Sequence, residues 1–407
     1  MEKEMLVRLV SDGFVEAKGG KAKETYLKII PAFESGELPL KSHYAFGWII
    51  YYALHQSGDK EISERKHILA NYLKLKVTVP HKLHSMILTE AMRLYKDARD
   101  AAFNNKDSIR FSIVGFSGLW GLSNLRPGDW MRKEHEGKPM SSTVEKFITL
   151  YVDELEEKKM QPSEAFLKVI DEAFTAYPDS FNLLSQIAAV RMLQGETDEA
   201  RRLLRKAILL APGKFFLWSR LASTVSPLKE MRLHVALLYR ALRSPGQEQF
   251  KGRIRLSLAE AMIIKEAWPQ ALWELNKVRQ TYEANGWHLP LSYHACMKKI
   301  PSHTVAQDPE PLYGKVAHMA DNEIYNSLPP VPAVKTYHKN PSPADRQSGR
   351  FSRPQTAWRV TTPEGKNYWL QPARFGIPAE LPLGTRLSIR LHNERPVKAD
   401  LDSVPTP

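Results

Sequence analysis

Over the first 300 residues, apolar positions recur at spacings of three and four, the period that lines up one face of a helix. The pattern predicts helices over 24–33, 42–55, 62–75 and 81–103, with helix following helix to about residue 300. Within 42–55, Tyr44, Trp48, Tyr51 and Tyr52 gather on one side, and Ser42 stands where an N-cap belongs. An aromatic stripe at this spacing predicts a face packed into a core.

Between about 160 and 285 the pattern repeats. YPDSFNLLSQIAAV and APGKFFLWSRLAST align, and Pro178 and Pro212 lie 34 residues apart, the tetratricopeptide period. Leu184, Ile187 and Ala188 fill the first helix of one unit, Ala200, Leu204 and Ala207 the second, and Trp218, Leu221 and Ala222 open the next. Small residues at Ala188, Ala200, Ala207 and Ala222 let helices approach closely, while the large ones fill the gaps between neighbours. Later copies drift: Ala259 lies 37 residues beyond Ala222, Pro245 ends a helix, and Ala271 and Leu275 recover the second-helix spacing.

From 301 the texture changes. Residues 301–354 are rich in proline, serine and polar residues and read as a linker. Beyond it, 357–361, 367–371, 386–391 and 397–401 are strand-like, and PEGK between the first two reads as a hairpin turn. The expected organisation is mainly α: an N-terminal helical region over 1–159, tetratricopeptide-like repeats over 160–300, the linker, and a small β barrel over 355–404.

Composition narrows the function classes. The 407 residues suffice for two or three domains. There is no run of 18 apolar residues, and MEKEMLVRLVSDGF lacks the long apolar core of a signal peptide, so the expected compartment is the cytoplasm. A single cysteine, Cys296, excludes an internal disulfide framework and a cysteine-based zinc site. Lys+Arg 58 against Asp+Glu 45 gives a net charge of +13, an excess that favours a polyanionic partner.

Catalytic chemistry finds little support. GFVEAKGGKAKET at 13–25 has the wrong spacing for a phosphate-binding loop, with Ala22 where a magnesium-binding Ser or Thr belongs, and reads as a polar turn before a helix. His81 and His84 stand three apart without an acidic or histidine partner nearby, so they read as a helix entry rather than a metal site. Cys296 has no histidine signature beside it. No catalytic residue, metal or cofactor is expected. SGLWGLSNLRPGDW at 117–130 reads as a buried connection, with Trp120 and Trp130 packing and Arg126 paired to an acid; a partner-binding loop is the functional alternative.

WGLSNLRPGDW, Phe216–Trp218–Leu221–Ala222, YRAL at 239–242, RLSLAEAMI at 255–263 and NGWHLP at 285–290 resemble a largely uncharacterised family of bacterial tetratricopeptide-like proteins. Some members of that family end in a small cold-shock or S1-like barrel. The resemblance spans most of 1–290 and implies a helical solenoid. The association of such proteins with mobile or conflict-type gene clusters implies a scaffold. YWLQPARFGIPAELPLGTRLSIRLHNERPVKADLDSV resembles the second half of a cold-shock domain, an OB-type barrel. Tyr368–Trp369–Leu370 fall at its second aromatic nucleic-acid-binding strand, Leu383–Gly384–Thr385 at the turn before its fourth strand, and Val397–Lys398–Ala399 at the start of its fifth. The Gly-Phe-Gly-Phe strand of that family is absent, with only Trp358 and Val360 near its place.

Single strands are bound by stacking bases on aromatic faces while cations follow the phosphates. Trp358, Tyr368, Trp369 and Phe375 offer faces; Arg359, Lys366, Arg374, Arg386 and Arg390 offer charge. Between 335 and 398 stand 12 Lys/Arg against 4 acids. Strand alternation sends Tyr368 and Trp369 to opposite faces, so one of them belongs to the core. The expected function is a non-enzymatic adaptor whose solenoid binds a protein partner and whose barrel contacts RNA or single-stranded DNA. The rivals are a purely protein–protein adaptor and a regulatory subunit of a separately encoded conflict or defence enzyme.

Overall fold

The computed structural model describes residues 2–58, 61–77, 81–104, 110–136, 138–339 and 356–402. The chain divides into two units, Met1–Pro178 and Asp179–Pro407. The fold is mainly helical with a C-terminal antiparallel sheet, and no described helix is long and apolar enough to cross a membrane.

In the first unit, α1 (Glu2–Glu16) passes through a π turn into α2 (Ala22–Glu34). The segment 13–25, expected to be a turn, is therefore almost continuous helix, broken at Gly20, whose φ of +103° a residue with a side chain rarely adopts. Helices α3 (His43–Gln56), α4 (Ile62–Leu73) and α5 (Lys82–Asn104) follow close to their expected bounds. Two expectations for α3 need correction. Ser42 ends a 3-10 turn, and its hydroxyl makes no cap. The side that packs inward is Phe46–Ile49–Ile50–Ala53, so of the four aromatics only Tyr51 is buried and Tyr44 is exposed. The helix is apolar nearly all round, so residue spacing alone could not choose its buried side.

Helices α6 (Ile113–Trp120), α7 (Pro127–Trp130), α8 (Thr143–Lys158) and α9 (Glu164–Ala176) complete this unit, with a ribbon of β1 (Lys133–His135) and β2 (Lys138–Met140) between α7 and α8. That ribbon departs from the expected succession of helix after helix to about residue 300. In the connection at 117–130, Trp120 is buried and stacked on Phe116. Asp129 accepts the backbone N–H of Arg126, so the arginine meets this acid through its main chain. Ser142 and Glu145 form a capping box at the start of α8.

In the second unit, helices pack as successive neighbours: α10 (Phe181–Leu193) with α11 (Thr197–Leu210), α12 (Phe215–Ser223) with α13 (Met231–Arg243), and α14 (Gly252–Ile264) with α15 (Trp268–Ala284), then α16 (Leu291–Met297). Every residue assigned to a repeat core from 184 to 275 is buried, including Leu204, Trp218, Ala259 and Leu275.

The expected linker over 301–354 is corrected where it is described. It contains α17 (Glu310–Tyr325), which packs on α13 and α11, and the strand β3 (Pro330–Lys339). Tyr313 and Tyr325 are buried there, and the Tyr313 hydroxyl donates to Glu274 Oε1 at 3.0 Å. Glu323 accepts from Arg201 at 2.7 Å and Arg205 at 2.9 Å. Residues 340–355 lie outside the described residues.

The sheet runs in the order β5-β4-β3-β6-β7, with β4 (Ala357–Thr361), β5 (Asn367–Leu370), β6 (Arg386–His392) and β7 (Arg395–Leu401). All pairs are antiparallel, and the edge strands β5 and β7 approach each other, so the sheet curls into a half barrel. PEGK forms its hairpin turn, with Gly365 at φ +80°. The first half of β3 pairs only with β6 and the second half with β4. Pro330 and Pro332 share strand parity, so both missing N–H groups fall on the edge that β4 does not reach. Trp358, Val360, Leu370, Leu387, Ile389 and Ala399 build the core.

Candidate nucleic-acid interface

Alternation along β4 turns Trp358 and Val360 inward and Arg359 outward; along β5 it turns Tyr368 and Leu370 inward and Trp369 outward. The register sets Arg359 directly opposite Trp369. In β3 a bulge between Lys335 and Tyr337 shifts the pairing by one residue. Without it Tyr337 would face Trp358 and point into the core; with it Tyr337 lies opposite Arg359 on the outer face. Tyr337, Arg359 and Trp369 therefore form one row across three strands. The two rings sit 6.0 Å apart and nearly perpendicular, and the guanidinium lies 5.6 Å from the tyrosine ring centre. Trp369 is 57% exposed and Tyr337 46%, which leaves an aromatic surface open to a ligand.

Beside this row is a cleft of about 470 Å³, lined by Trp369 and Phe375 and by the cations Lys339, Arg374 and Arg395. Lys366 and Arg386 are exposed elsewhere on the sheet.

Other expected site residues do different work. Trp358 cannot stack on a base: it is fully buried, its indole N–H donates to Ala379 O at 3.2 Å, and the Lys335 amine lies 4.3 Å from its ring centre. Lys335 is itself buried, donates to Leu381 O and meets His338 Nδ1 at 3.1 Å; burial pushes its pKa down. Tyr368 is half-buried against the sheet core. Arg390 donates to the carbonyl of Tyr325 at 2.9 Å and to that of Leu328, tying β6 to the end of α17. Arg374, in the one-turn helix Pro372–Phe375, is half-buried, with its Cγ close to Gly213; burial lowers its pKa, although it still borders the cleft.

Tyr337, Lys339 and Arg395 were missed as site residues. The first two stand in β3, whose prolines read as linker and whose buried Lys335 breaks the apolar alternation. Their available signal was the alternation of Val331, Ala333 and Lys335 with Pro332, Val334 and Thr336.

Among the described residues no group of three or more His, Cys, Asp or Glu gathers to hold a metal. His81 and His84 each spend a ring nitrogen on a tyrosine hydroxyl, Tyr44 at 2.8 Å and Tyr72 at 2.7 Å.

Residues 185–320, about a third of the chain, match the model of a family described as a domain of unknown function (DUF7017). The matched stretch runs from α10 into α17, so it takes in the first part of the helix within the expected linker. A comparison with curated proteins finds no match.

Proposed function

We propose that this chain is a non-enzymatic adaptor whose C-terminal sheet binds single-stranded RNA or DNA and whose helical hairpins, read as tetratricopeptide-like, bind a protein partner. The observation that carries the nucleic-acid half is the row Tyr337–Arg359–Trp369 beside a cleft bordered by Lys339, Arg374 and Arg395. Two exposed rings supply stacking faces, and the cations bordering the cleft beside them supply charge for phosphates. The reading of the sheet as an OB-type barrel draws support from its topology. If β3 is the first strand, the order becomes third, second, first, fourth, fifth, with third and fifth approaching, which is the path of a partly open five-stranded barrel.

The test is fluorescence anisotropy of the full-length protein with labelled oligo-U and oligo-dT at two salt concentrations. Binding in the micromolar range at low salt that falls steeply with salt supports the reading. No binding at low salt by a protein that melts cooperatively defeats it and leaves the protein–protein adaptor.

A further inference from the structure

Residues 1–178 contain a cleft of about 360 Å³ that neither half of the proposed function uses. It lies where the start of α5, the loop after α7 and the start of α8 meet. Met86, Met131 and Met140 line it, with Met131 68% and Met140 44% exposed. Methionines are frequent on adaptable binding surfaces, because their unbranched, polarizable side chains fit varied apolar groups.

The same cleft is lined by Lys82, Arg126, Lys133 and Lys146, and none of the four makes an ion pair among the described residues. One carboxylate faces it, Asp129, which is buried and already engaged: its Oδ2 accepts from Ser85 Oγ at 2.8 Å and from the Arg126 N–H at 2.9 Å. The start of α8 also borders the cleft, its dipole already met by the Glu145 carboxylate of the capping box. The cleft is thus an apolar surface bordered by unneutralised positive charge. A small inorganic anion would leave the methionines uncovered. A nucleobase would find no aromatic face, because no Phe, Tyr or Trp lines the site.

We propose that this cleft docks a short acidic peptide segment of a partner protein that carries one large apolar side chain, seated on the methionines, with its carboxylates beside the four cations. This proposal concerns residues 1–178, not the repeats or the sheet, and stands independently of the nucleic-acid reading.

The probe is a fluorescein-labelled seven-residue peptide of Asp and Glu with a central Phe, titrated with the full-length protein. Comparison peptides replace the Phe with Ser or the acids with Lys. The expected result is saturable binding of the acidic Phe peptide, at least tenfold weaker for each comparison peptide. Met131→Ser with Met140→Ser should weaken it at least fivefold, and Lys82→Glu with Lys146→Glu at least tenfold. All four positions are exposed, so each double variant should keep the wild-type melting temperature. Equal binding of the Phe and Ser peptides would reduce the cleft to a general anion site and overturn the proposal. So would full affinity in the charge-reversed variant, or a concentration-dependent dimer of this chain that either double variant abolishes. Displacement of the peptide by oligo-U, with loss of binding in Trp369→Ala, would move the peptide to the sheet and also overturn it.

Discussion

The two sides of the outer sheet face both carry cations, and those cations meet opposite fates. On the β6–β7 side, Arg390 and Lys398 meet α17: the arginine donates to the Tyr325 and Leu328 carbonyls, and the lysine pairs with Asp321 at 3.1 Å. On the β3–β4–β5 side, Arg359, Tyr337 and Trp369 remain exposed among the described residues. Basic residues on alternating strands fit a docking contact and a ligand surface equally well. What separates the two roles is whether another element of the chain has already claimed their hydrogen bonds and faces.

The strongest way to break this comparison is to remove β3, the strand shared by both sides. A fragment of residues 345–407, which the sequence-derived boundaries would suggest as a domain, lacks the strand that pairs with both β4 and β6. It should be unfolded by circular dichroism and show no cooperative melt. A fragment that folds would mean that the sheet closes without its central strand.

Next in size is the contrast between neighbouring tryptophans. Trp358→Ala should cost about 3–5 kcal/mol in chemical denaturation, because it empties the core of the sheet. Wild-type stability in that variant would return Trp358 to the candidate stacking faces.

Arg390→Ala should destabilise the protein by about 1.5–3 kcal/mol, the range for hydrogen bonds from a charged donor, and leave oligonucleotide affinity unchanged. Trp369→Ala and Tyr337→Ala should do the reverse, weakening oligonucleotide binding by about 1–3 kcal/mol for a ring that stacks on a base, with no change in melting temperature. An Arg390 variant that loses affinity with no loss of stability would erase the distinction between the two sides.

The smallest effect concerns pH. Burial holds the Lys335 amine below the ordinary lysine value of 10.5, so the unfolded chain binds that proton more tightly than the folded one. Its contribution makes stability rise as pH climbs towards 10.5 and fall as pH drops. Lys335→Met should flatten that slope in denaturation curves taken from pH 7 to 10. An unchanged slope would mean the amine is charged and solvated in the fold.

Much of this architecture was legible from period alone. Helical spacing located the buried repeat positions from Leu184 to Leu275, and alternation located β4 to its end residues. The same alternation established that Tyr368 and Trp369 face opposite ways, but it could not say which way is in. That choice belongs to the neighbours: Val360 opposite Tyr368 and Arg359 opposite Trp369 make one side of the strand core and the other surface. The prolines of β3 and its inward lysine hid the central strand, since each defies a local rule that only the unpaired edge and the Leu381 carbonyl satisfy.

The sequence by itself determined which residues share a face, because periodicity is a property of the backbone and needs no partner. It also determined the basic, aromatic character of the C-terminal strands and the small residues that let the helices pack closely. Only the tertiary structure decided that Tyr337 joins Trp369 across Arg359, that Trp358 is core, and that Arg390 holds a helix. Those outcomes depend on a one-residue bulge and on where α17 comes to rest, and contacts between distant segments leave no period in the sequence to read.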